Sequence, residues 1–312
     1  MNNIPVFDLH CDTIYECLTK NCNFTDNNLH IDYNKTKNIG PYIQCFAICV
    51  PEEIRGKSAT QMFCEAYKAL KKQCDLNNIT LIKNKKDITD IVNKQGRGAV
   101  FTVENASVLA GDIKNISLFK EFNVKIVTLT WNGKNELGAG SSVTHSNGLT
   151  RFGKEVVKEL IENNIAIDMS HTSDRLFYDI VNETDKPVIA THSNSRVITN
   201  VKRNLTDKQF EIISNRKGIV GLNFHKYFLS NNPDEATKYD ILKHTEHFLS
   251  LGGENVVALG CDFDGCELPK DINGVESLND IYEMFLKKNY NETLLRKIFF
   301  ENAFNFWENF DK

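Results

Sequence analysis

The sequence predicts a single (β/α)8 TIM barrel over residues 1–312, closed by C-terminal helices, on three observations. Short apolar runs recur eight times, segments of helical periodicity lie between them, and no Pro/Gly/Ser-rich linker, repeat or low-complexity tract interrupts the series. Barrels of this kind reach such a length as one unit, so length does not demand a second domain.

In chain order the strand candidates are 5–10, 43–50, 98–103, 124–130, 165–169, 187–191, 218–224 and 256–261. Their runs, from VFDLH to VVALGCDFD, are rich in Val, Ile, Phe and Thr, as parallel strands covered on both faces must be. The second run is followed by TQMFCEAYKALKKQC, the fourth by RFGKEVVKELIENN and the fifth by SDRLFYDIVNET. LTDKQFEIISNRK follows the sixth run and DEATKYDILKHTEHFLSLGG the seventh. In each helical segment apolar residues fall three or four apart and Ser, Thr or acidic residues open the helix. Strand and helix alternating throughout imply βαβ units, and residues from about 275 to 309 read as one or two closing helices.

Composition narrows the class. Hydrophobic residues at 41% and charged residues at 25% suit a globular chain with a large core. A net charge of −4 and a pI near 6.1 offer no basic surface for nucleic acid. The start, MNNIPVFDLH, has no basic segment followed by an apolar run, and the end, NAFNFWENFDK, has no hydrophobic tail, so no membrane attachment is expected. Nine scattered cysteines suit reduced thiols, and the expected location is cytoplasmic. Cys45 with Cys49, and Cys261 with Cys266, lack the paired spacing of a zinc ribbon and read as small hydrophobes.

The chemistry gathers at the C-terminal ends of the runs, where barrels of this kind build their sites. His10 and Asp12 stand two apart after the first run and, by the period of a strand, share one side. Glu104, His171 and His192 end the third, fifth and sixth runs. A buried carboxylate and several imidazoles need counter-charge, and a pair of divalent ions such as zinc satisfies all five residues together, with Glu104 bridging. After the eighth run, Asp262 and Asp264 read as lying on one face, and a carboxylate there can move a proton between an attacking water and a departing amine. An Asp-Gly turn is the other reading of these residues. Asp8 is a supporting partner deeper on the strand. His225, after the seventh run, contacts substrate or packs the loop. His244 and His247 lie three apart on what reads as a surface helix, with no third ligand near in sequence, and the run 83–87 reads as a solvated face.

In order and spacing, DLHCDT (8–13), FTVENA (101–106), LTW (129–131), DMSHTSD (168–174), THSNSR (191–196), KRN (202–204) and GCDFDG (260–265) resemble the motifs of the renal or membrane dipeptidase family within the amidohydrolase superfamily. The resemblance covers nearly the whole chain. It implies a binuclear zinc dipeptidase acting through a metal-bridging hydroxide, with metal ligands His10, Asp12, Glu104, His171 and His192, Arg203 holding the substrate carboxylate, and Asp262 as acid and base. Renal members carry a histidine after the L-T of the fourth strand, whereas this chain has Trp131 followed by Asn132. Trp131 is expected to form an apolar wall of the pocket, with packing at the rim as its other role. A dipeptide is the expected partner, and a homodimer stays open. Two further functions stay open: hydrolysis of another small amide, lactam or N-acyl amino acid, and a metal-binding barrel without turnover.

Overall fold

The computed structural model describes residues 4–310. The two ends of the expected 1–312 domain, residues 1–3 and 311–312, lie outside them. Apolar runs become strands where both faces can be covered, and the first pair shows why. β1 (Val6–Cys11) and β2 (Tyr42–Cys49) are buried at every position, with α1 (Thr13–Lys20) between them and α2 (Lys57–Asn77) following β2. Next come β3 (Ile79–Leu81), α3 (Lys85–Asn93), β4 (Arg97–Glu104), α4 (Ile116–Glu121) and β5 (Ile126–Thr128). They are followed by α5 (Arg151–Glu162), β6 (Ala166–Asp168), α6 (Asp174–Glu183), α7 (Asp207–Asn215) and β7 (Val220–Leu222). The chain ends with α8 (Lys226–Leu229), α9 (Lys238–Ser250), β8 (Val257–Leu259), α10 (Ser277–Lys287), α11 (Glu292–Arg296), a π-helical turn (Lys297–Glu301) and α12 (Asn302–Phe310).

All pairings between named strands are parallel, in the spatial order β6-β5-β4-β2-β1-β8-β7. Residues 187–191, expected as a full strand, form only single bridges, Asp168 to Ile189 and Ala190 to Val220. Pro187 brings no N–H to the start of this segment, and it enters the site after Thr191, which leaves no length for a ladder. Those bridges still join β6 to β7 and return the sheet on itself. Close backbone approach makes this possible: a Cβ on Gly221 or Gly260 would stand 2.0 or 1.7 Å from the Thr191 carbonyl oxygen.

β3 was not expected from the sequence. It pairs with Arg97–Ala99 at the start of β4, while β5 pairs with Val103 and Glu104 at its end, so two short strands share one edge. With only three residues, none of them buried, β3 offers no apolar pattern to read.

Helices cover the outer face. Inside, Phe7, Leu9, Ile43, Val100, Ile126 and Ala258 form a cluster that continues into Phe300, Phe306 and Trp307. The Phe7 ring lies 6.3 Å from Phe300 and 6.1 Å from Trp307, so the final helical segments pack against the N-terminal end of the barrel and leave the C-terminal end as the open one. Among the described residues no helix is long and apolar enough to cross a membrane. All nine cysteines are free thiols.

Candidate active site

At the C-terminal ends of the strands the structure brings together the five residues proposed as ligands. Glu104 closes β4, with one oxygen 2.6 Å from His171 Nε2 and 3.6 Å from His192 Nε2, and the other 3.7 Å from His10 Nε2. His10 Nε2 lies 3.4 Å from Asp12 Oδ2 and 3.9 Å from Asp262 Oδ1, and its ring stacks on His192 at 3.7 Å between centroids. Asp12 does not reach this place by strand alternation as expected. β1 shifts register between Asp8 and Cys11 and ends there, and Asp12 is already the residue that opens α1.

The hydrogen bonds behind the imidazoles decide which nitrogen faces the cluster. His171 Nδ1 is 2.9 Å from Asn132 Oδ1, an acceptor, so Nδ1 carries the proton and Nε2 its lone pair. The Thr191 hydroxyl donates to Asp168 Oδ2 at 2.6 Å and therefore accepts from His192 Nδ1 at 2.7 Å, which again leaves Nε2 a lone pair. Asp168 is fully buried and also receives the Thr128 hydroxyl and the N–H groups of Ser170 and Thr191. Burial and the nearby Arg203 cation lower the pKa of His171, and burial with His10 and Arg203 takes His192 further down, which agrees with neutral rings.

Burial opposes ionisation of Glu104, but the imidazoles of His171 and His10 hold it well below the usual carboxylate range. Against the cost of burial, Glu104 and Asp12 push His10 up to about 10. Burial and Glu104 raise Asp12. His10 and Asp12 thus rise together, while Glu104, His171 and His192 fall. His10 Nε2, Asp12 Oδ1 and Glu104 Oε1 are buried without hydrogen-bond partners, and two imidazole nitrogens stand 3.0 Å apart. Mixed nitrogen and carboxylate donors in this state fit divalent metal, with His10, Glu104 and His192 as one triad and His10, Asp12 and Asp262 as another.

Asp262 is held differently from the ligand set. Its Oδ2 accepts Asn223 Nδ2 at 2.9 Å, and its backbone is left-handed at φ 61°. His171 is left-handed too, at φ 68°. Asp262 and Asp264 both line the cleft, but both leave strand geometry, at φ 61° and 69°, so strand alternation is not what places them. The Asp264 carboxylate takes the Thr13 hydroxyl and the His30 N–H, tying α1 to the loop before β2. Asp8 accepts the N–H groups of Cys261 and His10, and burial raises its carboxyl to about 6.

Arg203 is buried and, among the described residues, has no carboxylate partner. Nη1 reaches His192 O and Ser193 Oγ at 3.4 Å, the guanidinium lies 5.5 Å over Phe228, and Nε and Nη2 are buried with no partner. The surface pair of this region belongs instead to Arg196, whose fork holds Asp174 at 2.9 and 2.8 Å. A cleft of about 280 Å³ opens over the cluster, lined among others by Tyr15, Cys49, Trp131 and His225. Trp131 lies 6.4 Å from the His171 ring, while His225 Nδ1 binds Glu267 O at 3.2 Å and its ring packs against Phe228. Both therefore line the cleft, and His225 packs its loop as well.

The helix that carries His244 and His247 is not wholly a surface one as expected, for six of its residues are buried. His244 is completely buried, accepts the Ser195 N–H on Nδ1 and faces Leu229 O with Nε2, whereas His247 pairs with Asp207. They point to different partners and share no site. The sequence reading missed Asn132, Asn223, Asp168 and Thr191, although Asn132 and Thr191 adjoin residues already singled out.

Comparison with known proteins follows the same lines. The sequence profile of the family described as membrane dipeptidase (peptidase family M19) matches residues 1–312. An uncharacterized protein in the pqqA 5′ region of Klebsiella pneumoniae is 30% identical over 209 residues, 64% of this chain and 77% of that protein. An uncharacterized dipeptidase of Schizosaccharomyces pombe is 32% identical over 174 residues, 54% of this chain and 41% of that one. The solved dipeptidase AC, a metallopeptidase, superposes with a TM-score of 0.90 at 26% identity over 98% of this chain and 100% of its own. A metallopeptidase from Rhodobacter sphaeroides, liganded with a phosphinate mimic of the dipeptide L-Ala-D-Ala, gives 0.88 at 25% over 98% and 99%.

Proposed function

Because the chain belongs to the membrane dipeptidase family of metallopeptidases, we propose that it hydrolyses the peptide bond of dipeptides around two zinc ions held by His10, Asp12, Glu104, His171 and His192, with Glu104 shared. The observation that carries this reading is the buried Arg203, with two unpaired donors, beside the imidazole and carboxylate cluster. When bound, such a pair of ions supplies an activated water and polarises the scissile carbonyl.

The chain's own residues do the rest. Asn132 and Thr191 keep the imidazole lone pairs turned toward Glu104. Asn223 occupies one oxygen of Asp262 and leaves the other beside His10, where it can take a proton from the attacking water and pass it to the leaving nitrogen. Arg203 presents a planar fork that matches a substrate carboxylate in a bidentate way. Trp131 and His225 bound the cleft as substrate contacts.

A dipeptide sets its ammonium and carboxylate at a nearly fixed separation, so Arg203 at one end and Asp262 with the metal site at the other act as a ruler. Longer or amidated substrates leave a buried ionic group unpaired, which costs about 2–5 kcal/mol. The R. sphaeroides relative was captured with a mimic of L-Ala-D-Ala, so dipeptides ending in a D-residue belong in the substrate screen. The test combines metal content with that screen. Two ions per chain, strong loss of turnover on C-terminal amidation, and erasure of the difference between acid and amide in Arg203→Ala are expected. Equal cleavage of free dipeptides, amides and tetrapeptides by the wild type would overturn the ruler.

A further inference from the structure

β2 and β4 pair in register so that Cys49 stands directly opposite Glu104 at the open end of the barrel. Its Sγ, an Asp12 carboxylate oxygen and a Glu104 carboxylate oxygen all lie within 4.8 Å of one another. Asp12 is 5% exposed and Glu104 2%, and each has an oxygen with no hydrogen-bond partner, Asp12 Oδ1 and Glu104 Oε1. Cys45, two pleats earlier on the same face, is buried among the barrel's core side chains, whereas Cys49 lines the cleft. The sulfur that reads as a small hydrophobe in the sequence therefore lies within 4.8 Å of an oxygen of each of two carboxylates, and each carboxylate has an oxygen without a partner.

We infer that Cys49 is a reserve ligand, which joins Asp12 and Glu104 around a thiophilic divalent ion and biases this side of the site toward soft metals. The inference rests on the reading of Asp12 and Glu104 as metal-holding residues. Bonds of about 2.3 Å to sulfur and about 2.0–2.2 Å to oxygen place two donors of one tetrahedral ion roughly 3.5 Å apart. The β2 ladder fixes the Cys49 backbone, so rotation about its side-chain bond is the movement by which Sγ would take up that spacing. On binding, the S–H bond breaks as the sulfur–metal bond forms, the proton leaves to solvent, and nothing is oxidised or reduced. A hard ion such as Mn2+ takes the carboxylate oxygens and leaves the thiol alone, whereas Cd2+ or Zn2+ recruits it.

The test strips the full chain with a chelator and titrates it with Cd2+ or Mn2+ while following thiolate-to-metal charge-transfer absorption in the ultraviolet. Wild type should develop the band with Cd2+ and none with Mn2+. Cys49→Ser and Cys49→Ala should lose it and bind one equivalent of Cd2+ about 10–100-fold more weakly, the loss typical of removing support from a metal site. A measurement needing no variant runs beside it: bound Cd2+ should shield Cys49 of the wild type from alkylation, read by peptide mass spectrometry, and Mn2+ should not. A wild type without the band, a band unchanged in both variants, or alkylation of Cys49 indifferent to Cd2+ would overturn the inference. Dipeptide turnover of the zinc-loaded protein is read in parallel. Turnover without the band removes this inference and keeps the proposed function; the band without turnover does the reverse.

Discussion

The Asn132 side chain touches no substrate-facing atom of Glu104, yet its oxygen determines which nitrogen of His171 turns toward it. Asn132→Ala should therefore leave the fold intact and lower metal affinity about 10–100-fold, as calorimetric titration would measure. Affinity equal to wild type would mean that the ring is held by its strained backbone alone. The proposed ligands were legible in the sequence because each closes an apolar run, and a run's end is where a barrel exposes chemistry. Asn132 and Asn223 were not. Their roles come from contacts 39 residues away, to His171 and to Asp262, which no local pattern encodes. Cys49 was legible only as an apolar residue, because sulfur in a strand reads the same whether it faces a core or a carboxylate.

Helix α9 shows the same contrast one level up. Its apolar spacing predicted a helix correctly, but the sequence reading put His244 on the surface, where the structure gives it a buried bond to the Ser195 N–H. Burial lowers its pKa from 6.5 to about 4. The sign follows: below pH 6.5 the unfolded chain binds a proton that the folded chain refuses, so stability is full near neutrality and falls as pH drops toward 4. Between pH 7 and 5 this one residue should remove about 2 kcal/mol. Urea unfolding should show a smaller loss over the same interval for His244→Gln, and equal losses would refute the buried neutral ring. Capping was readable where side chains announce it, as in Thr206, which accepts the Gln209 N–H while Gln209 returns the bond to the Thr206 N–H. The segment 187–191 and the short β3 resisted reading because pairing, more than composition, decides whether so few residues are strand.

Across the molecule, the candidate site draws one side chain or more from β1, β4 and the segments after β6, residue 191 and β8, which lie far apart in sequence and on different parts of the sheet. An ion held there would tie most of the barrel's open end together and stabilise the fold to the extent that it prefers the folded chain. An ion at a thousand times its dissociation constant adds about 4 kcal/mol. For a chain of this size that corresponds to about 6 °C in Tm. Scanning calorimetry with zinc and then with excess chelator should show a fall of that order, and a Tm unmoved by chelation would count against a folded-state metal site. The left-handed backbone at His171 and Asp262 carries a further consequence. Side-chain-bearing residues are held there at a cost of about 1–3 kcal/mol each, which glycine would not incur. A library selected for durability alone should therefore drift to glycine at both positions, growing hardier as it loses the imidazole and the carboxylate. Evolution under that pressure would keep the barrel and discard the enzyme.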